Sequence, residues 1–305
     1  MNCSNAKPFL KWVGGKTQLI EQFKTLYPNE LENNLIDTYI EPFVGGGAIF
    51  FHLMQTYKIK KAIIIDLNSD LIECYQCIKE DVNKLIGILE QLQTTFFKLN
   101  TIEQKKMYLG IREEYNSLLN KNYDKYTKAA YMIFMNKTCF NGLYRVNSKG
   151  EYNVPFGMYK NPLICNKSNL LVINELLQNV EIVVGDYSLC EKYIYGKTFI
   201  YFDPPYRPLT ITQSFVGYSK YGFNDNNQIE LATLYKKISD KNCNLMLSNS
   251  DPKNVNVNDN FFDDLYSEFN INRIYAKRVI NCQGNKRGNL TEIVIRNYSR
   301  KDKKI

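Results

Sequence analysis

The stretch Leu35–Gln55, LIDTYIEPFVGGGAIFFHLMQ, decides the fold. Leu35 to Phe43 is apolar and β-branched enough to end as a strand. Gly45, Gly46 and Gly47 then turn the chain, and the residues after them read as a helix. A second short, buried-type strand, KKAIIID, follows at Lys60–Asp66 and ends on an acid. Glycine at a strand-to-helix turn lets backbone approach a ligand closely. The spacing is not the dinucleotide fingerprint Gly-x-Gly-x-x-Gly, because Phe50 occupies its third position. Two readings of the turn stay open: a tight turn without a ligand, or a cradle for a nucleoside that has no pyrophosphate. Asp66 is open in the same way. It stands where α/β nucleotide sites place the acceptor for ribose hydroxyls, and it also suits the N-terminus of the next helix, where Asn68 or Ser69 could cap equally well.

Outward from this unit the pattern becomes helical over Asp70–Glu80, Asp81–Gln93, Thr101–Asn120 and YTKAAYMIFMNKT, residues 126–138. The segment CFNGLYRVNSKGEYNVPFG, residues 139–157, carries Asn-Gly and Lys-Gly turn signals between aromatic and β-branched residues, and predicts a hairpin. Alternation then returns with a helix at Ser168–Leu177, strands at VEIVVGD and KTFIYF, a helix at Gln228–Ser239, and closing strands at CNLMLSNS and TEIVIRNY. Strand–helix alternation at both ends predicts an α/β core with a central sheet. Residues 1–69 and 166–305 form that core, and residues 70–165 an inserted domain. The terminal RKDKKI is expected to be a frayed tail.

The bulk composition narrows the function classes. A chain of 305 residues, 44% hydrophobic, can build a sizeable core, which excludes a disordered protein. It has neither an apolar run long enough to span a bilayer nor an N-terminal signal pattern, so a protein that is soluble and not exported is expected. Eight scattered cysteines suggest reduced thiols. Cys74 and Cys77 form the sole Cys-x-x-Cys pair and His52 is the only histidine, too few ligands for a structural zinc, so no metal is expected. The net charge of +8 suits a polyanionic partner such as nucleic acid. FLKWVGGKTQLI, residues 9–20, ends like a phosphate-binding loop. Leu10, however, stands where that motif requires its first glycine, so the ATPase reading fails on spacing.

The most specific chemistry lies in FIYFDPPY, residues 199–206. A buried-type strand delivers Asp203 to its C-terminal end, the crevice where open α/β sheets bind ligands. Pro204 and Pro205 hold the backbone and present carbonyls with few competing donors. Tyr206 adds a flat ring. A carboxylate, a carbonyl and an aromatic plane suit one task, holding an exocyclic amine on a planar base. The plain alternative is a strand that ends in a proline turn with a surface acid.

With these residues in place, the chain resembles the Dam-like family of DNA adenine methyltransferases, which use S-adenosylmethionine to methylate N6 of adenine. The match runs in order through FLKWVGGK, EPFVGGGAIFF, IIIDLNSDLI, CFNGLYRVNSKGEYNVPFGMYKNP, YFDPPYRPLTITQSF and NCQGNKR with EIVIRNY, nearly the whole chain. The resemblance implies a Rossmann-like S-adenosylmethionine-dependent methyltransferase core with an inserted helical plus hairpin target-recognition domain. It implies cofactor-binding roles for Trp12, Lys16, Glu41, Phe43, Gly45, Gly47, Asp66 and Asp203, and a catalytic turn of Asp203, Pro204, Pro205 and Tyr206. For DNA it implies Lys11 on a recognised base, Leu143 and Arg145 as base readers, Asn141 on a phosphate, Phe140 stacked into the helix, and Tyr159 as a further contact. Arg145 has the geometry for a bidentate contact to guanine, and Phe140 for a wedge in the space a displaced base leaves. Ordinary hairpin surface and packing are the alternatives for these two. The best-known members carry tyrosine where this chain has Phe140, so stacking survives and a hydroxyl contact is lost. The resemblance further implies double-stranded DNA as partner, GATC as target, and a bacterial or phage enzyme acting in the cytoplasm without membrane contact; it leaves open whether a cognate restriction endonuclease is its companion. Other readings are an exocyclic-amine methyltransferase acting on cytosine N4 or RNA, and a non-catalytic DNA-binding protein with the same fold.

Overall fold

Residues 5–118, 122–207, 223–276 and 290–300 are described by the computed structural model. Seven strands form one sheet: β1 (Thr38–Glu41), β2 (Lys61–Asp66), β3 (Val180–Val184), β4 (Thr198–Phe202), β5 (Cys243–Ser250), β6 (Asn270–Ala276) and β7 (Leu290–Arg296). Their order is β3-β2-β1-β4-β5-β7-β6. The first five run parallel, and β7 is antiparallel to both of its neighbours. From β1 the chain moves outward to β2 and β3, then returns to place β4 on the other side of β1. The C-terminal ends of β1 and β4 therefore flank the point where strand order reverses, the usual ligand crevice of such sheets.

Parallel strands covered on both faces read as continuous apolar runs, and here they divide their side chains between two cores. Tyr39, Ala62, Ile64, Phe199 and Tyr201 join one apolar cluster. Their strand neighbours Ile40, Ile63, Ile65, Ile200 and Phe202 join the other, as the two-residue period requires. The helices are α1 (Ile20–Lys24), α2 (Asn29–Glu32), α3 (Ala48–Thr56), α4 (Ser69–Glu80), α5 (Val82–Lys98), α6 (Thr101–Ser117), α7 (Lys125–Thr138), α8 (Lys167–Leu177), α9 (Asp225–Ser239) and α10 (Phe261–Leu265). Side chains of Asn68, Asp81, Asn100 and Asp124 cap α4 to α7, each satisfying a backbone N–H that the first helical turn leaves free. The first cluster continues from the sheet through α4, α5, α6 and α7 without a break. Cys74 and Cys77 lie buried on α4, with the Cys74 thiol against the Ala129 carbonyl and the Met132 sulfur.

Three expectations change. Residues 139–157 double back, but by two isolated antiparallel bridges, Cys139 to Phe156 and Val146 to Tyr152, and not as a regular hairpin. Side chains of α6 take the place of a partner strand. Asn116 bonds both the N–H and the carbonyl of Tyr152, and Tyr108 and Arg112 donate to the Val154 carbonyl. The Asn141-Gly142 turn does form, with both residues at positive φ, but directly after α7. Second, β6 adds an edge strand that the sequence reading omitted, and α9 begins at Asp225 rather than Gln228. Third, Arg300 is not frayed: its guanidinium donates to the Lys24 carbonyl and to Glu32. Residues 301–305, the segment after Arg207 through 222, and NCQGNKR lie outside the described residues.

Candidate active site

Three strand ends converge on the crevice: Glu41 ends β1, Asp66 ends β2, and Asp203 follows β4. The glycine turn leaves β1 with Gly45 and Gly47 at φ of 47° and 72°, the left-handed region that favours glycine. A Cβ on Gly45 would lie 2.8 Å from the Trp12 ring, so the indole closes directly over the turn. From the other side Asp66 ties the turn down. Its Oδ2 accepts from the Gly45 N–H at 3.0 Å and its Oδ1 from Asn68 N–H at 2.9 Å. Asn68, not Asp66, caps α4. Burial pushes the Asp66 carboxyl above its usual range, and these two N–H donors oppose the shift. Phe43 stacks on Tyr187 at 5.3 Å and meets Phe223 edge-on at 5.8 Å, giving the crevice an aromatic wall.

At the β4 end, Asp203 Oδ2 accepts from Lys16 Nζ at 2.6 Å, and Oδ1 from Ser248 Oγ at 3.2 Å. The Lys16 ammonium also donates to the Gly14 carbonyl and lies 4.6 Å from the centre of the Tyr206 ring. Lys16 is 4% exposed, so this ion pair is largely withdrawn from water. Burial raises the Asp203 pKa, while Lys16 and Ser248 pull it back. Glu41 is buried beside them. Burial holds its carboxyl well above the usual range, against the hydrogen bond from the Tyr39 hydroxyl at 2.5 Å. Tyr206 donates its hydroxyl to Glu292.

A second cluster adjoins the first through consecutive residues, Lys11 and Trp12. Buried Asn136 on α7 accepts from the Lys11 N–H at 2.8 Å and donates to the carbonyls of Lys11 and Gly142 at 2.9 and 3.0 Å. The Lys11 ammonium lies 4.9 Å from the Tyr159 ring centre, and the Tyr159 hydroxyl accepts from Asn141 N–H at 3.0 Å. Phe140, beside them, is 51% exposed. Lys11, Phe140, Asn141 and Tyr159 thus share one surface. Arg145 makes a separate contact: its guanidinium donates to the Asn153 side chain at 2.7 Å and to its carbonyl at 3.2 Å. Leu143 packs half-buried on the core. Between these two, Tyr144 stacks on Trp12 at 5.4 Å and donates to Asp70 at 3.1 Å, so the turn after α7 rests on the glycine-loop side.

The model of the D12 class of N6 adenine-specific DNA methyltransferases matches residues 12–280. The chain belongs to this family. It is 49% identical over 294 residues to the type II methyltransferase M.MjaIII of Methanocaldococcus jannaschii, covering 96% of this chain and 99% of that one. It is 37% identical to M1.LlaDCHI of Lactococcus lactis subsp. cremoris, covering 97% of each. The DNA adenine methylase of Escherichia coli K12 is 28% identical over 94% of each chain. The methyltransferase is therefore an enzyme acting on DNA, from a family that generally uses S-adenosylmethionine. No helix among its described residues is long and apolar enough to cross a membrane, and no group of three or more metal-ligating side chains is found among them.

Several residues of the candidate site carry no motif of their own in the sequence: Ser248 on Asp203, Glu292 on Tyr206, Asn136 beneath Lys11, and Tyr187 against Phe43. For Ser248 a signal is available, the polar run Ser248-Asn249-Ser250-Asp251 directly after the apolar Leu245-Met246-Leu247, where burial of polar groups is costly.

Proposed function

We propose that this methyltransferase modifies N6 of adenine in double-stranded DNA at GATC, with S-adenosylmethionine as methyl donor. The observation that carries the reading is the Lys16 ammonium. It donates to Asp203 while lying over the Tyr206 ring, an N–H donor seated on the carboxylate beside an aromatic face, the arrangement an exocyclic amine on a stacked base needs there. Asp203 keeps acceptor capacity beside Lys16, because each carboxylate oxygen can accept a second hydrogen bond. The chemistry of the surrounding groups fits the cofactor: an acid at Asp66, aromatic faces at Phe43 and Tyr187, the indole of Trp12 over Gly45, and Lys16 and Glu41 at the inner end. S-adenosylmethionine supplies an electrophilic sulfonium methyl when bound.

The chain's own groups do the rest. Adenine inside a duplex is out of reach, so it flips into the crevice at a cost of about a few kcal/mol. Tyr206 offsets that by stacking. Asp203 and the Pro204 carbonyl would accept the two amine hydrogens, which disfavours delocalisation of the nitrogen lone pair into the ring, and Asp203 would stand where it can pass on the proton that the nitrogen loses on methylation. Catalysis is then mainly positioning and electrostatics. Pro205 stiffens the turn. Residues 70–165 carry target recognition on the core of 1–69 and 166–305: Leu143 and Arg145 read bases together with Lys11 of the core, Asn141 lies on phosphate, Tyr159 beside it, and Phe140 fills the vacated space. GATC rests on the resemblance to Dam-like enzymes. Type II names among the relatives support a companion restriction endonuclease, and a DNA substrate supports action in the cytoplasm.

Purified protein, labelled S-adenosylmethionine and short duplexes test this. Label should enter a GATC duplex as N6-methyladenine and fall at least tenfold when any one base pair of the site is changed. Label in cytosine, or in RNA alone, would replace adenine as the target.

A further inference from the structure

The proposed catalytic turn contains two consecutive proline carbonyls, and the structure treats them differently. Among the described residues the Pro204 carbonyl accepts no hydrogen bond, although Pro204 is buried. The Pro205 carbonyl accepts from Gln228 Nε2 at 3.1 Å. Gln228 lies in the first turn of α9 and is fully buried. Its own Oε1 accepts from Asn249 Nδ2 at 3.2 Å. Asn249, also fully buried at the end of β5, accepts on Oδ1 from the Arg207 N–H at 3.3 Å, and Ser250 Oγ donates to the Arg207 carbonyl at 3.0 Å. Outside this chain, Arg207 pairs with Asp225 and Asp259 and lies against Phe261, which fixes the start of α9 to the same turn.

A buried primary amide is tolerated where its donors and acceptor find partners. Here one amide N–H goes to the outer carbonyl of the turn and the amide oxygen to a second buried amide. We infer that Gln228, held by Asn249, is a positioning residue for methyl transfer: it engages the Pro205 carbonyl from behind and so fixes the adjacent Pro204 carbonyl toward the target amine. This inference rests on the reading of Asp203 and Pro204 as the amine's acceptors. Gln228 touches no substrate in it. Pro204 and Pro205 have no N–H to brace the turn, so their carbonyls are its remaining backbone handles, and Gln228 takes the outer one. A small misplacement of a reacting group can cost about a hundredfold in rate.

Two variants test it. Gln228→Met keeps volume and removes both hydrogen bonds. Single-turnover methyl transfer should fall about 10- to 100-fold, while dissociation constants for S-adenosylmethionine and for DNA stay within about twofold, the split expected of a positioning role. Gln228→Glu can donate to Pro205 only when protonated, so its rate relative to the unaltered enzyme should rise as pH falls. A Gln228→Met enzyme with an unaltered single-turnover rate would overturn the inference, as would cofactor affinity and rate lost in equal measure. If Gln228→Met does not fold, a Gln228→Glu rate ratio independent of pH would overturn it alone. Asp203→Ala in the same assay separates the two levels: activity there removes the catalytic reading, whereas an inactive Asp203→Ala beside a normal Gln228→Met removes only the role of Gln228.

Discussion

Lys16 and Asp203 form an ion pair in a site that water barely reaches, and each sets the other's behaviour. Burial alone favours a protonated Asp203, and the lysine ammonium is the main force against it. Replacing Lys16 with alanine removes that cation, so Asp203 should hold its proton to a higher pH. The acidic limb of the kcat/KM profile should move to higher pH, and the Michaelis constant for S-adenosylmethionine should rise. An unmoved acidic limb would show that Lys16 does not govern Asp203. Glu41 gives a stability test with the opposite sign from an ordinary ion-paired acid. Its folded pKa lies above its unfolded value, so the native state retains a proton that the unfolded chain releases above about pH 4.3. Stability is therefore lost as pH rises from there toward the folded pKa. Glu41→Gln, whose amide oxygen still accepts from Tyr39, should melt higher at pH 7 and lose that advantage as pH falls toward about 4; a lower melting temperature at both values would contradict this. Asp203 and Asp66 were legible in the sequence because an acid at the end of an apolar strand carries chemistry by its place alone. Gln228, Asn249 and Ser248 were not, because an amide or hydroxyl acquires its role from a partner far along the chain.

At the scale of elements, the strip from Leu10 to Trp12 joins the proposed cofactor side to the proposed recognition side, and Asn136 is its fastening on α7. Asn136→Leu would leave the Lys11 N–H and the carbonyls of Lys11 and Gly142 without their partner. Unpaired buried backbone groups cost about 1–3 kcal/mol each. The expected result is a larger loss of DNA affinity than of S-adenosylmethionine affinity, measured by titration of each ligand. Equal losses would mean that the strip is only a packing element. The parallel strands were readable because burial on both faces writes an unbroken apolar run into β2 and β4. Edge strand β6 was not, because Asn270, Asn272 and Arg273 interrupt its apolar residues, and among its described side chains only Ile274 is buried. The predicted hairpin contained a correct turn at Asn141-Gly142. What no local pattern could show was that Asn116, Tyr108 and Arg112 of α6 would satisfy the backbone groups a second strand would otherwise pair.

For the molecule as a whole, the sheet order brings the ends of β1, β2 and β4 into one crevice, and the recognition turn after α7 abuts it through Trp12 and Tyr144. On the proposed reading, methyl donor, target base and flanking duplex meet along this single face. A chain with net charge +8 that binds phosphates there should lose DNA affinity steeply and log-linearly with salt, and a flat response would remove DNA as the ligand of that face. The phosphate-loop echo in FLKWVGGKTQLI takes its meaning from the same geometry: Lys16 faces the Asp203 carboxylate. The central claim, adenine methylation at Asp203 in GATC, is tested most directly by expressing the chain and its Asp203→Ala variant in a methylation-free host and sequencing the modified bases. N6-methyladenine should appear at GATC with the unaltered chain and be absent with the variant. Methylation at other bases, or equal methylation by both chains, would contradict it.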